Sequence, residues 1–215
     1  MTLPFSFNEG EWVVFDLDDT LYPEWLFLHS GIHHIIERFN LNKSTRSASF
    51  YASQKNWIYF LLNENSLPLT KDLMSDMLEE YRLHRPVITL REGAFEFLNS
   101  LKQKGCNIGL VTDGRSITQR NKLSSLGIDM FFDEIVISEE LGSEKPSFDN
   151  FISFNQNVTK YYIGDNLRKD FFTPNQLGWT TIMLLDDGRN IHTQNLRVPE
   201  SYQAKFKVES FMELI

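Results

Sequence analysis

The chain has 215 residues and a formal net charge of −8, with 21 Lys and Arg against 29 Asp and Glu. That length suits one domain with an elaboration, or two small ones. Its 41% hydrophobic and 23% charged residues are ordinary globular composition and exclude wholesale disorder. The acidic balance, with no basic stripe, argues against a nucleic-acid partner bound through its phosphates. The longest strictly apolar run, Trp57 to Leu62, falls far short of the roughly 20 residues of a membrane-spanning helix. One cysteine, Cys106, leaves no internal disulfide and no Cys-based zinc knuckle. The start, Met1-Thr2-Leu3-Pro4, lacks the basic and apolar regions of a signal peptide, so a cytoplasmic location is expected.

In chain order, Trp12 to Phe15 is a short apolar run ending in acids and reads as a buried strand. The stretch from Leu21 to about Arg85 contains no clear strand. Leu28, Ile32, Ile35, Ile36 and Phe39 recur at helical spacing, and Lys43 to Asn63 and Lys71 to His84 read as two further helices around Ser66-Leu67-Pro68. Alternation then begins. Glu92 to Lys104 is a helix facing the core through Ala94, Phe95, Leu98 and Leu101 and stopping at Gly105. Ile108 to Val111 is a strand. Ser116 to Gln119 has the form of a capping box opening a helix that ends near Gly127. Ile135 to Ile137, Tyr161 to Ile163 and Thr181 to Leu185 are strands. The polar tail is expected to hold a short strand at Phe206 to Val208 and a terminal helix reaching Ile215. Strand, helix, strand in repetition implies a doubly wound parallel α/β sheet covered on both faces. The expected division is a core of residues 1–20 and 88–215 and a helical cap of residues 21–87.

The chemistry-bearing residues sit directly behind the strands. Asp16-Leu17-Asp18-Asp19-Thr20 follows the first. Two unit charges 4 Å apart repel by roughly 4 kcal/mol at an effective dielectric near 20, so this cluster calls for a proton or a cation. With no His or Cys nearby in sequence, a hard divalent ion such as Mg²⁺ fits best. Thr112-Asp113-Gly114 offers a hydroxyl and flexible amides before a helix, a setting for an anion. Lys145 precedes Pro146, which suits the first turn of a following helix, and supplies a compact charge for a phosphate oxygen. Gly164-Asp165-Asn166 adds a carboxylate, with Asp170 five residues on. In a parallel sheet these loops converge at the carboxyl edge, where open α/β folds bind ligands. Phosphate with Mg²⁺ is the ligand such an edge suits.

In this order and spacing, Asp16-Leu17-Asp18-Asp19-Thr20, Thr112, Lys145 and Gly164-Asp165 with Asp170 resemble the four motifs of the haloacid dehalogenase-like hydrolase superfamily, in its form with a small helical cap. The resemblance implies a phosphatase acting on a small phosphorylated metabolite. Asp16 would be the nucleophile forming an aspartyl-phosphate, and Asp18 the general acid and base. Mg²⁺ would be held by the Asp16 carboxylate, the Asp18 main-chain carbonyl and Asp165. Thr112, Asp113 and Lys145 would line the phosphate site, with the Asp113 side chain turned away. Asp170 would orient Lys145 or a metal-bound water. An acid at Asp18 is what dehalogenases of the superfamily lack, and Thr20 is similar to the phosphatase form rather than to sugar-phosphate mutases, which often carry Val there. A phosphomutase of the same superfamily and a non-catalytic phospho-acceptor module are the alternatives.

Other residues take plainer readings. His33 and His34 point about 100° apart on a helix and belong to a solvated face. Trp25, Trp57, Tyr59 and Phe60 pack between cap helices. Asn166 stabilises a turn, Arg115 reaches substrate or solvent, and Cys106 is a buried small hydrophobe.

Overall fold

Four consecutive buried side chains, Trp12–Phe15, form strand β1 at the centre of the sheet in the computed structural model, which describes residues 4, 6–41, 56–154 and 157–215. β1 is flanked by β2 (Asn107–Thr112) and β4 (Lys160–Gly164), and β3 (Glu134–Ile137), β5 (Thr180–Leu184) and β6 (Phe206–Val208) complete it. All pairings are parallel, in the order β3-β2-β1-β4-β5-β6. The chain therefore winds outward from β1 in both directions, and the order reverses between β1 and β4. That crevice is where doubly wound sheets bind ligands. Register places it sharply: Phe15 lies opposite Ile163, and Asp16 N donates to Ile163 O at 2.9 Å.

The two faces of the sheet are covered differently. On one, α4 (Ala94–Gln103) packs Phe97, Leu98 and Leu101 onto Val13, Phe15 and Ile108. Phe95, expected inside, is half exposed, and Phe97 takes the core position instead. The other face has little helix. Between β3 and β4 the described residues form only α6 (Ser138–Leu141) and two 3₁₀ turns, Phe148–Asn150 and Ile152–Phe154. Pro146 opens no α-helix there, contrary to the expectation. Aromatic bulk does a helix's work: Phe151, Phe154, Phe171, Tyr162, Trp12 and Trp179 form one cluster with edge-to-face contacts between rings.

The helical insert between β1 and α4 shows α1 (Glu24–Arg38), α2 (Trp57–Glu64) and α3 (Lys71–Leu83). The expected helix from Lys43 falls partly on residues 42–55, outside the described residues; its described part is α2, capped by Asn56 accepting from Tyr59 N. Ile32, Ile35, Ile36, Leu61, Leu62 and Met77 form the insert's own apolar cluster. Gly31 is required here, because a Cβ would stand 2.3 Å from the Tyr81 ring. Trp57 and Tyr81 rings pack 5.1 Å apart, and Tyr59 is the exposed member of the aromatic group. His33 is exposed and meets His29 one turn away, while His34 pairs with Glu80.

Two local expectations differ. α5 (Ser116–Leu126) begins at Ser116, but its N-cap is Arg115 and no side chain caps it. The Ser116 hydroxyl is drawn instead to Glu140, and its N–H to Glu139. The tail ends in a 3₁₀ turn, Phe211–Glu213, rather than a helix, closed by a Ser210–Glu213 capping box. Among the described residues no helix is long and apolar enough to cross a membrane.

Candidate active site

β1 ends at Phe15, and Asp19 adopts φ 57°, a left-handed turn that Asp tolerates better than most residues. Asp16, Asp18 and Asp19 thereby line one cleft with Thr112, Asp113, Lys145 and Asp165. The four segments picked out by sequence meet there although Asp16 and Lys145 are 129 residues apart.

On the cleft floor Lys145 is buried and shared. Its Nζ donates to Asp16 Oδ1 at 2.6 Å, to Asp170 Oδ1 at 2.7 Å and to Tyr162 Oη at 3.3 Å. Asp170 is wholly buried, and its other oxygen accepts from the backbone N–H groups of Asp165 (3.1 Å) and Asn166 (2.8 Å). This tie explains Gly164: any Cβ there would stand 2.5 Å from Asp170 Oδ2. Thr20 Oγ1 lies 3.4 Å from both Asp16 and Asp165.

Oxygens of Asp16, Asp165 and Asp170 lie within 4.8 Å of one another. Three buried carboxylates around one ammonium leave two uncompensated negative charges. Burial, reinforced by Asp170 and Asp18, pushes Asp16 up to about 7 against the pull of Lys145. Burial and the neighbouring Asp170 and Asp16 also raise Asp165 well above the carboxylate range. Lys145 opposes its own burial by facing Asp16 and Asp170, which hold it charged. An all-oxygen donor set with this charge excess suits a divalent cation. The Asp18 side chain is outside that cluster.

Asp18 faces another lysine. Lys122 Nζ on α5 donates to its Oδ1 at 2.6 Å, Gln119 Nε2 to its Oδ2 at 2.8 Å, and the Tyr22 hydroxyl to Oδ1. Burial opposes ionisation of Asp18, but Lys122 and these donors outweigh it and hold the carboxyl below its usual value. Gln119 also donates to Thr112 Oγ1 at 2.6 Å, bridging two motif residues. Lys122 stands 4.4 Å from the centre of the Phe27 ring of α1, tying core to insert.

The remaining sequence-selected residues are placed as follows. Asp113 turns its carboxylate to Lys145 N (3.0 Å) and Lys169 Nζ (2.7 Å). Asn166 Oδ1 accepts from Arg168 N, an Asx turn. Arg115 is exposed and 3.6 Å from Glu139. Cys106 is buried, with Sγ donating to Asn8 O.

Sequence reasoning missed Gln119, Lys122, Tyr22 and the loop after β5. In that loop Asn190 Nδ2 donates to Asp165 Oδ2 and Ile191 N to Asp19 Oδ2, both at 2.9 Å. Arg91 anchors it through Asp187 and Asn190. One signal was available: Gln119 and Lys122 lie three residues apart on the helix behind Thr112, so they share a face.

Residues 13–183 match the family model described as haloacid dehalogenase-like hydrolase. The chain belongs to the haloacid dehalogenase-like hydrolases. It is 28% identical to the glyceraldehyde 3-phosphate phosphatase of Methanopyrus kandleri over 192 residues, covering 80% of this chain and 82% of that one. It is 25% identical to the pyrimidine 5′-nucleotidase YjjG of Escherichia coli over 230 residues, covering 95% and 96%. Among solved structures it shares its fold with the magnesium-bound HAD-hydrolase YfnB of Bacillus subtilis, at a TM-score of 0.69 and 19% identity over 96% and 97% of the two chains.

Proposed function

We propose that the chain is a Mg²⁺-dependent phosphomonoester hydrolase acting on a small phosphorylated metabolite through an aspartyl-phosphate on Asp16. The observation that carries this reading is the crevice between β1 and β4. There an Asp16 oxygen faces the cleft beside one ammonium and two further buried carboxylates whose excess charge a divalent ion would balance.

In this reading Asp16 attacks phosphorus and the ester oxygen departs with a proton from Asp18. Water then attacks the aspartyl-phosphate, giving its proton to Asp18 and releasing orthophosphate. At rest Lys122 holds Asp18 ionised. A phosphoryl group entering beside it adds negative charge and raises its proton affinity, so Asp18 takes up, from solvent or from the monoanionic ester, the proton it gives to the departing oxygen. Gln119 and Lys122 fix the direction of that carboxyl. Thr112 and Lys145 would hold phosphoryl oxygens, with Asp170 keeping Lys145 in place. The ion would be held by Asp16, Asp165 and the Asp18 carbonyl, and when bound it neutralises charge on the transferring group. Hard oxygen donors favour Mg²⁺, and YfnB, of like fold, is bound to magnesium. The assignment of residues 21–87 as a cap closing over residues 1–20 and 88–215 belongs to the same proposal, supported by the insert's separate apolar cluster.

The test is orthophosphate release from a panel of phosphate monoesters, with Mg²⁺ and with chelator, using Asp16→Asn as control. Release only with Mg²⁺, lost in the variant, supports the reading. Unchanged turnover in Asp16→Asn defeats it.

A further inference from the structure

Glu24 opens α1 at the rim of the cleft. The helix has Pro23 as N-cap, and Asp19 Oδ1 takes the Glu24 N–H at 2.8 Å. The same Asp19 carboxylate is held from the other side by Ile191 N. The start of α1 is therefore pinned to the cleft, and the Glu24 side chain lines it.

The other carboxylates of that lining have donors. Asp16 has Lys145, Asp18 has Lys122, Asp113 has Lys169, Asp165 has Asn190, and Asp19 has two backbone amides. Among the described residues none donates to the Glu24 carboxylate. Burial, reinforced by Asp18, pushes Glu24 up to about 8 against the pull of Lys122, so its carboxylate is charged above that pH. The cleft is small, about 150 Å³. Its lysines, Lys145 and Lys169, are already paired with carboxylates, as is Lys122 behind Asp18.

We infer that Glu24 accepts a hydroxyl of the departing alcohol, and that this wall selects phosphate esters of small uncharged polyols over esters carrying a second anionic group. The inference rests on the phosphatase reading, in which Asp18 serves the departing oxygen and Glu24 beside it faces the same part of the substrate. A hydroxyl finds in Glu24 an acceptor without a donor. Among the described residues a second carboxylate or phosphate finds acidic groups and no unpaired lysine in the cleft, and juxtaposed like charges suppress wrong partners strongly.

The experiment measures kcat/KM at about pH 9, where Glu24 is ionised, for acetyl phosphate, glycerol 3-phosphate and phosphoglycolate with Mg²⁺, on the unsubstituted protein, Glu24→Gln and Glu24→Lys. Hydrolysis of acetyl phosphate by the unsubstituted protein reports on the phosphatase reading itself; no turnover there defeats that reading, and this inference with it. Given turnover, glycerol 3-phosphate is expected to exceed phosphoglycolate by about thirtyfold or more, since like-charge contact is costly. Glu24→Gln, nearly isosteric, is expected to narrow that ratio about tenfold, chiefly through KM, and Glu24→Lys to invert it. Three results overturn the inference: phosphoglycolate preferred by the unsubstituted protein, neither glycerol 3-phosphate nor phosphoglycolate hydrolysed, or a ratio that Glu24→Gln leaves within about threefold. The Gln variant carries the test alone if the Lys variant does not fold.

Discussion

Two buried lysines meet two carboxylates that are neighbours but one in sequence, and they do so on different terms. Lys145 is shared by Asp16 and Asp170, with Asp165 close by, so the floor of the cleft is short of positive charge. Among the described residues Lys122 pairs with Asp18 alone, and its Nζ stands over the Phe27 and Tyr22 rings, so that pair is charge-balanced. The unbalanced region is built for something brought from outside. The balanced one is built to hold a side chain still.

Substitutions at the two centres separate these roles. Asp16→Asn removes the proposed nucleophile, and turnover is expected to fall by about 10³-fold or more, since loss of a covalent route costs several kcal/mol of transition-state stabilisation. Lys145→Met should nearly abolish activity yet strengthen Mg²⁺ protection in a thermal melt, because the floor loses the ammonium that partly offsets its carboxylates. Lys122→Met should reduce kcat by about 10²-fold for an alkyl phosphate but much less for p-nitrophenyl phosphate, whose departing group needs no proton. Equal losses on both substrates would end the positioning role. Lys122→Met also strands a buried carboxylate, and breaking such a pair costs about 3–5 kcal/mol. Adding Asp18→Asn should restore most of that stability.

The pH dependence of stability sharpens the contrast. A carboxyl raised in the fold from an ordinary 3.8 to about 7, as Asp16 is by burial, binds its proton more tightly folded than unfolded. Stability is therefore full below about 4 and is lost as pH rises toward 7. Melting curves of metal-free protein should show this fall, and saturating Mg²⁺ or Asp16→Asn should flatten it. Asp18, held low by Lys122 despite burial, runs the other way, losing its share of stability as pH falls through its lowered value.

Smaller effects follow at the supports. Gly164→Ala forces Asp170 aside, and overpacking of this kind costs about 1–3 kcal/mol, read by denaturant midpoint. Tyr22→Phe removes one of three donors to Asp18 and should cost about 1 kcal/mol in kcat or less.

Much of the site is legible because three of its members stand behind an apolar run: Asp16 after Phe15, Thr112 after Val111, Asp165 after Ile163 and Gly164. The sheet followed from those same runs. The wall was hidden for a physical reason. The buried side of α5 carries Thr118, Gln119 and Lys122 beside Leu123, so hydrophobic periodicity assigns it to solvent. Polar residues occupy that side because they bond to the cleft rather than to a core. The terminal helix was misread because Phe211 and Leu214 share a helical spacing that one 3₁₀ turn also satisfies. The helix expected after Lys145 failed because Phe151 and Phe154 fill that face from short turns.

The loop after β5 reaches back across 172 residues to Asp19 and across 25 to Asp165. During synthesis every recognisable motif therefore leaves the ribosome before the amides that steady two of the acids. A nascent chain ending at residue 185 would carry the whole signature, with Asp19 and Asp165 each still waiting for a second donor encoded in a tail that no motif marks.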